Sequence, residues 1–182
     1  MSVMFVRHTT PRVAPGVCYG RTDLPLADSF DDEAAAVARA MPNADRIVSS
    51  PLQRCRQLAE RLAEEAGLPL AIDERLVEMD FGAWEARPWS DIPREEIDAW
   101  MQDFLHARPH GGESVAMLRA RALAAATALR DRPSMTLAVT HAGVIKAVLA
   151  DGDRAANFKT HVDFGGFAAM PPAQGASSQG GA

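Results

Sequence analysis

The 182-residue chain has only two cysteines, Cys18 and Cys55, and no paired cysteine spacing. That excludes a disulfide framework and a CxxC metal knuckle, and it points to a reducing compartment. No apolar run approaches the roughly 20 residues of a membrane-spanning helix, and Met1 to His8 lacks the charged and then apolar profile of a signal peptide. A cytoplasmic protein with no membrane partner is expected. Basic charge is not in excess: 19 Lys and Arg against 24 Asp and Glu leave −5. This argues against nucleic acid as the main partner and leaves a small anion open. Neither a GxSxG elbow nor a GxxxxGK phosphate loop occurs. His106 and His110 have metal-like spacing, but Pro109 between them disrupts the helix that would align them, so no metal site is read there.

What the chain does have is enough apolar material, 47% of residues, to build one core without staples. One domain over residues 1–170 is expected, with residues 85–112 as a candidate helical cap. The final stretch, 171–182, consists of Pro, Gly, Ser, Ala and Gln and reads as a disordered tail.

Periodicity orders the elements. The consecutive apolar residues Val3 to Val6 read as a strand buried on both faces. Residues 9–27, with three prolines and two glycines, show no pattern and read as a functional loop. Spacings of three and four from Phe30 to Met41 predict an amphipathic helix. A short strand at Ile47-Val48 precedes Ser50-Pro51-Leu52-Gln53, which reads as an N-cap serine, a proline at the first helical position and a glutamine at N3. That helix runs to about Ala66 and stops at Gly67. Further expectations are a weak strand at 70–72, a helix over about 90–105, an alanine-rich helix over about 113–130, a strand at 135–140, a short helix opening at Gly143 and a last strand near 167–170. Strands alternating with helices imply the α/β class: three layers, α/β/α, around a mostly parallel sheet.

In such sheets ligands bind beyond the carboxyl ends of the strands. Three predicted strands end in suggestive residues there: Arg7-His8, Ser49-Ser50 with Arg54 one helical turn on, and His141. Residues 1–27 hold Arg7, Arg12 and Arg21 against Asp23 alone, and residues 46–57 hold Arg46, Arg54 and Arg56 against no acid. Positive charge thus gathers near one edge of an acidic chain. Helix N-termini at Ser50 and Gly143 would add backbone N–H donors, which favours an anion such as phosphate. Taken singly, each residue has an ordinary explanation: a solvated turn for Arg7-His8, a core imidazole for His141, a surface charge for Arg54, an exposed loop carboxylate for Glu78. Their joint placement is what argues for a site.

Five segments together resemble the histidine phosphatase, or phosphoglycerate mutase-like, superfamily: Arg7-His8-Thr9, Ser49 to Arg54, Leu76 to Glu85, Gly111 to Ser114 and Thr140 to Gly143. The resemblance covers Val6 to about Leu149. It implies the phosphoglycerate mutase-like fold and a phosphatase that needs neither metal nor cofactor. In it His8 would become phosphorylated, Arg7, Arg54 and His141 would form the phosphate pocket, and Glu78 would be the proton donor, with Asp80 as the other candidate. Thr9, Tyr19, Arg21 and Ala142 join these as expected substrate contacts. The chain departs from the superfamily at Thr9, where glycine is usual: either the backbone there is ordinary or the pocket is altered. Threonine at that place, and Cys18 to Leu26, are similar to one branch, the α-ribazole phosphatase-like proteins of cobalamin synthesis.

These roles make chemical sense. Guanidinium forks match phosphate oxygens two at a time. A neutral imidazole can take a phosphoryl group and release it again, and a carboxylic acid can protonate the leaving alkoxide. The expected partner is a small-molecule phosphate ester, and the expected assembly a monomer or homodimer. An isomerase of the phosphoglycerate mutase type, a protein-phosphohistidine phosphatase and a silent relative that only binds phosphorylated ligands remain open alternatives.

Overall fold

Val3, Phe5 and Val6 anchor β1 (Val3–Arg7) as an interior strand of a five-stranded sheet, with no more than a few per cent of any of them exposed. The computed structural model describes residues 3–131 and 133–170, so the expected tail at 171–182 lies outside the described residues. The remaining strands are β2 (Arg46–Ser49), β3 (Leu70–Ile72), β4 (Thr136–Thr140) and β5 (Phe167–Ala169), and the sheet order is β3-β2-β4-β1-β5. All pairings are parallel except that of β5 with β1.

Alternate strand residues serve the two faces. Val3, Phe5 and Ala138 pack with α4 (Val115–Arg130) and α5 (Ala142–Leu149). Val6, Leu137 and Val139 pack with α1 (Phe30–Ala40) and α2 (Gln53–Ala66). This is the expected three-layer arrangement. Among the described residues, no helix is long and apolar enough to cross a membrane.

Two helix expectations need correction. The helix predicted from Ser50 starts at Gln53, and Leu52 before it is extended. The Ser50 hydroxyl, assigned to cap it, lies instead 2.8 Å from Nε2 of His141, and the Gln53 amide donates to Asp23 Oδ1 at 2.8 Å. The serine hydroxyl keeps only a long bond from the Leu52 amide, 3.4 Å, and an acid 30 residues upstream caps the helix itself. The helix predicted over 90–105 is broken: a 3₁₀ turn at Trp89–Asp91 comes first, and α3 (Arg94–Gln102) begins only after Pro93, which lacks the N–H needed to join the two.

The register puts the site together. Arg7 pairs with Thr140 and Ser49 with Val139, so β1, β2 and β4 end side by side. The His8 amide donates to Thr140 O, and that of Ser50 to Val139 O, both at 3.0 Å.

Candidate active site

His8 and His141 emerge from neighbouring strands with ring centroids 5.1 Å apart. His8 is 2% exposed, and His141 and Arg54 are fully buried. Nδ1 of His8 lies 2.7 Å from Thr9 O. A carbonyl only accepts, so Nδ1 carries the hydrogen and the lone pair is on Nε2. Burial, with the charges of Arg54 and Arg7, pushes the His8 imidazole down to about 3. Burial and then Arg54 hold His141 well below its ordinary value as well. Both rings are neutral at pH 7.

The two arginines are held by carbonyls, not by acids. Arg54 donates to Thr22 O at 2.8 Å and to Gly20 O at 2.5 Å, with Tyr19 below its guanidinium at 5.5 Å. Arg7 donates to Val162 O at 2.9 Å. Neither forms an ion pair among the described residues, and Nε of each is buried without a hydrogen-bond partner. Buried charge left unneutralised in this way is costly unless an anion completes the site.

Glu78 closes the opposite side. Its Oε1 accepts the Met79 amide at 2.9 Å and its Oε2 the Gly143 amide at 3.0 Å. Asp80 instead accepts the Gly82 amide within its own turn, so it is the Glu78 carboxylate that lies against α5. One N–H donor at each of the two helix starts is therefore taken, that of Gln53 by Asp23 on α2 and that of Gly143 by Glu78 on α5.

Thr9 resolves to an ordinary backbone: among the described residues Ala86 is the one non-glycine with a positive φ. The Thr9 side chain is fully buried and its hydroxyl has no partner. Ala142 opens α5 beside His141. Arg21, between the two residues whose carbonyls hold Arg54, is exposed, and among the described residues its side chain makes no hydrogen bond or ion pair. The other basic residues of the edge also turn away, Arg12 to Asp28, Arg56 to Glu60 and Arg46 to the Thr136 hydroxyl. His110 belongs to an aromatic cluster with Trp84 and Trp100.

Four further residues shape the site without having been singled out. Glu85 gathers the amides of Gly20, Arg21, Thr22 and Phe81 and the Thr22 hydroxyl, which ties the 9–27 loop to the 81–85 segment. Burial opposes ionisation of that carboxyl, but these bonds outweigh it and hold the group below its usual value. Arg121 forks onto Glu113 with two 2.7 Å bonds and also donates to the carbonyls of Val77 and Glu78. The Cys55 thiol lies 3.4 Å from Nε2 of His141. The Phe164 ring covers the Arg7 guanidinium at 3.7 Å. Glu85 and Glu113 stand in quoted motifs, but nothing local marks Cys55 or Phe164.

Next to Glu78 and Gly143 opens a cavity of about 370 Å³ walled by Phe81, Trp100, Phe104 and Phe158, with Lys146 the one cation in its lining.

A family model described as the histidine phosphatase superfamily, branch 1, matches residues 3–161. An adenosylcobalamin/α-ribazole phosphatase of Salmonella typhimurium is 31% identical over 160 residues, covering 82% of this chain and 78% of that one. A probable phosphoglycerate mutase, GpmB, of Escherichia coli O1:K1 is 32% identical over 150 residues, covering 78% and 69%. The crystal structure of the α-ribazole phosphatase from Shigella flexneri superposes with a TM-score of 0.81 at 26% identity, over 96% of this chain and 92% of that one.

Proposed function

Since the chain belongs to the histidine phosphatase superfamily, whose members are phosphatases and mutases, we propose that it hydrolyses a small phosphate monoester through a phosphohistidine on His8. The substrate proposed is α-ribazole 5′-phosphate or the related 5′-phosphate of a cobalamin precursor. One observation carries the reading. Arg54, fully buried and without an acidic partner, keeps an unpartnered Nε while its charge acts on both imidazoles. A phosphoryl group supplies the charge this arrangement lacks.

In the first step Nε2 of His8 attacks phosphorus and the ester P–O bond breaks. Arg7, Arg54 and His141 meet the charge on the oxygens in flight. The Glu78 carboxyl gives the leaving alkoxide its proton. In the second step water attacks the phosphohistidine, Glu78 takes back a proton, and the P–N bond breaks to release inorganic phosphate. Dividing the displacement in two lets a neutral nucleophile act on an anion.

The aromatic cavity beside Glu78 supports a leaving group with a flat apolar ring, as α-ribazole has, over a glycerate, whose carboxylate would find Lys146 as its one cationic partner among mostly apolar walls. The candidate cap supports it too, because Trp100 of α3 and Phe104 just beyond it form part of those walls. The similarity to a probable phosphoglycerate mutase keeps isomerisation as the second reading.

A phosphate-release panel tests both, using α-ribazole phosphate, 3-phosphoglycerate, sugar phosphates and a phosphohistidine peptide, with His8→Ala as the blank. Release from α-ribazole phosphate in preference to the others is the expected result. Normal release by His8→Ala would end the phosphohistidine route, and conversion of 3-phosphoglycerate to its 2-isomer would favour the mutase.

A further inference from the structure

The turn that follows the fold's last 3₁₀ segment is bound to the start of the site by four hydrogen bonds. The Gly165 amide donates to Arg7 O at 3.0 Å and to His8 O at 3.2 Å, the Arg7 amide donates to Gly166 O at 3.0 Å, and Arg7 Nη1 donates to Val162 O at 2.9 Å. Gly165 is suited to its place, since φ is +70° and a Cβ there would stand 2.8 Å from a Val37 methyl. The turn thereby delivers Phe164, 37% exposed, onto the solvent side of two site residues. Its ring centroid lies 3.7 Å from the Arg7 guanidinium carbon and 5.6 Å from the His8 ring.

We infer that Phe164 is a positioning residue of the phosphoryl site: stacked on Arg7 and leaning on His8, it fixes the plane in which Arg7 presents its N–H edge to the anion. The inference rests on the phosphoryl-transfer reading above. An aromatic ring attracts a guanidinium through its face and leaves the in-plane N–H groups free. Phosphate needs those in-plane groups as a planar fork. With Nη1 on Val162 O and the face on Phe164, the guanidinium cannot rotate, and its buried Nε has no partner other than an incoming anion. The ring also keeps water from one side of the Arg7 and His8 pair, so the fork acts in a medium of lower dielectric, where it is stronger.

The test uses inorganic phosphate as the probe, with its dissociation constant measured by calorimetry for the full chain. Phe164→Leu removes the face and keeps the bulk, and it should weaken phosphate binding roughly tenfold. Phe164→Tyr keeps the face and should stay within about threefold of the parent chain. Circular dichroism melting checks that each variant is folded, and Phe164→Met replaces the leucine variant if that one is not. Leucine or methionine variants that bind phosphate like the parent overturn the inference. So does a folded tyrosine variant that loses as much as leucine, because the ring face would then be irrelevant. A parent chain that binds no inorganic phosphate overturns it at the root, together with the phosphoryl-transfer reading. Failure to hydrolyse α-ribazole phosphate, with these binding ratios intact, sinks the substrate assignment and supports the stack.

Discussion

A Cβ placed on residue 143 would stand 2.2 Å from Oε1 of Glu78, whose other oxygen accepts the Gly143 amide at 3.0 Å. The second residue of α5 therefore sets where the carboxylate sits. Gly143→Ala should expel Glu78 from its place and lower turnover about 10²-fold or more, the scale on which a displaced proton donor acts. Alanine is a better helix former than glycine, so α5 itself should persist. Turnover together with helical circular dichroism checks this, and unchanged turnover would detach Glu78 from the chemistry.

Acid should loosen the fold from above pH 6 downward. Unfolded imidazoles take up protons near 6.5, whereas His8 resists protonation to about 3 and His141 well below its ordinary value. Between those limits the unfolded chain binds more protons, so stability is complete above about pH 6.5 and falls as pH drops toward 3. Urea unfolding at pH 7.5 and 5 should show the loss, and His8→Asn should remove about one proton from the slope. An identical slope in that variant would mean His8 titrates normally.

Arg121 holds the backbone that carries Glu78. It forks onto Glu113, 7% exposed, while donating to Val77 O at 2.6 Å and Glu78 O at 3.1 Å. Arg121→Met should cost about 3 to 5 kcal/mol, because a buried carboxylate is left unpaired. Adding Glu113→Leu should recover part of that loss without restoring turnover, since the two carbonyls still lack their donor. Denaturant midpoints and rates measured on the single and double variants separate the two effects.

Glu85→Gln should free the 9–27 loop. One amide oxygen cannot replace a carboxylate that accepts from four backbone amides and a hydroxyl, and the loss should be about 1 to 3 kcal/mol. Because its bonds hold this carboxyl low, the stability it gives is present above the ordinary carboxylate range and disappears as pH falls through and below it. Limited proteolysis should cut this loop in the variant sooner than in the parent chain.

The sheet was legible because its signals are local. The apolar runs at Val3 to Val6 and at Leu137 to Val139 are short, as buried strands are, and Gly67, at a φ of 65°, is the helix stop that glycine allows. Strand ends then brought His8, Ser50 and His141 to one edge by topology alone. What escaped notice depends on partners distant in sequence. Ser50 looked like a cap because its rival claimant, His141, lies 91 residues away. The 9–27 loop has no period because it is ordered by Glu85 and by bridges from Pro11 to Leu26 and from Val17 to Pro88. Charge was legible in amount but not in direction: Arg12 and Arg56 found acids of their own, whereas Arg7 and Arg54 are held by carbonyls and form no ion pair among the described residues.

Cys55 places a sulfur against the very imidazole that the phosphoryl group would meet, yet burial pushes its thiol up, and Cys18 is pushed up to about 12. Neither is a thiolate at neutral pH, and both are sealed from solvent. Peroxide and iodoacetamide, which silence phosphatases built on a cysteine nucleophile, therefore find no accessible thiolate here while the chain stays folded. Under the phosphohistidine reading, a nitrogen nucleophile would spare the reaction any dependence on the redox state of a thiol.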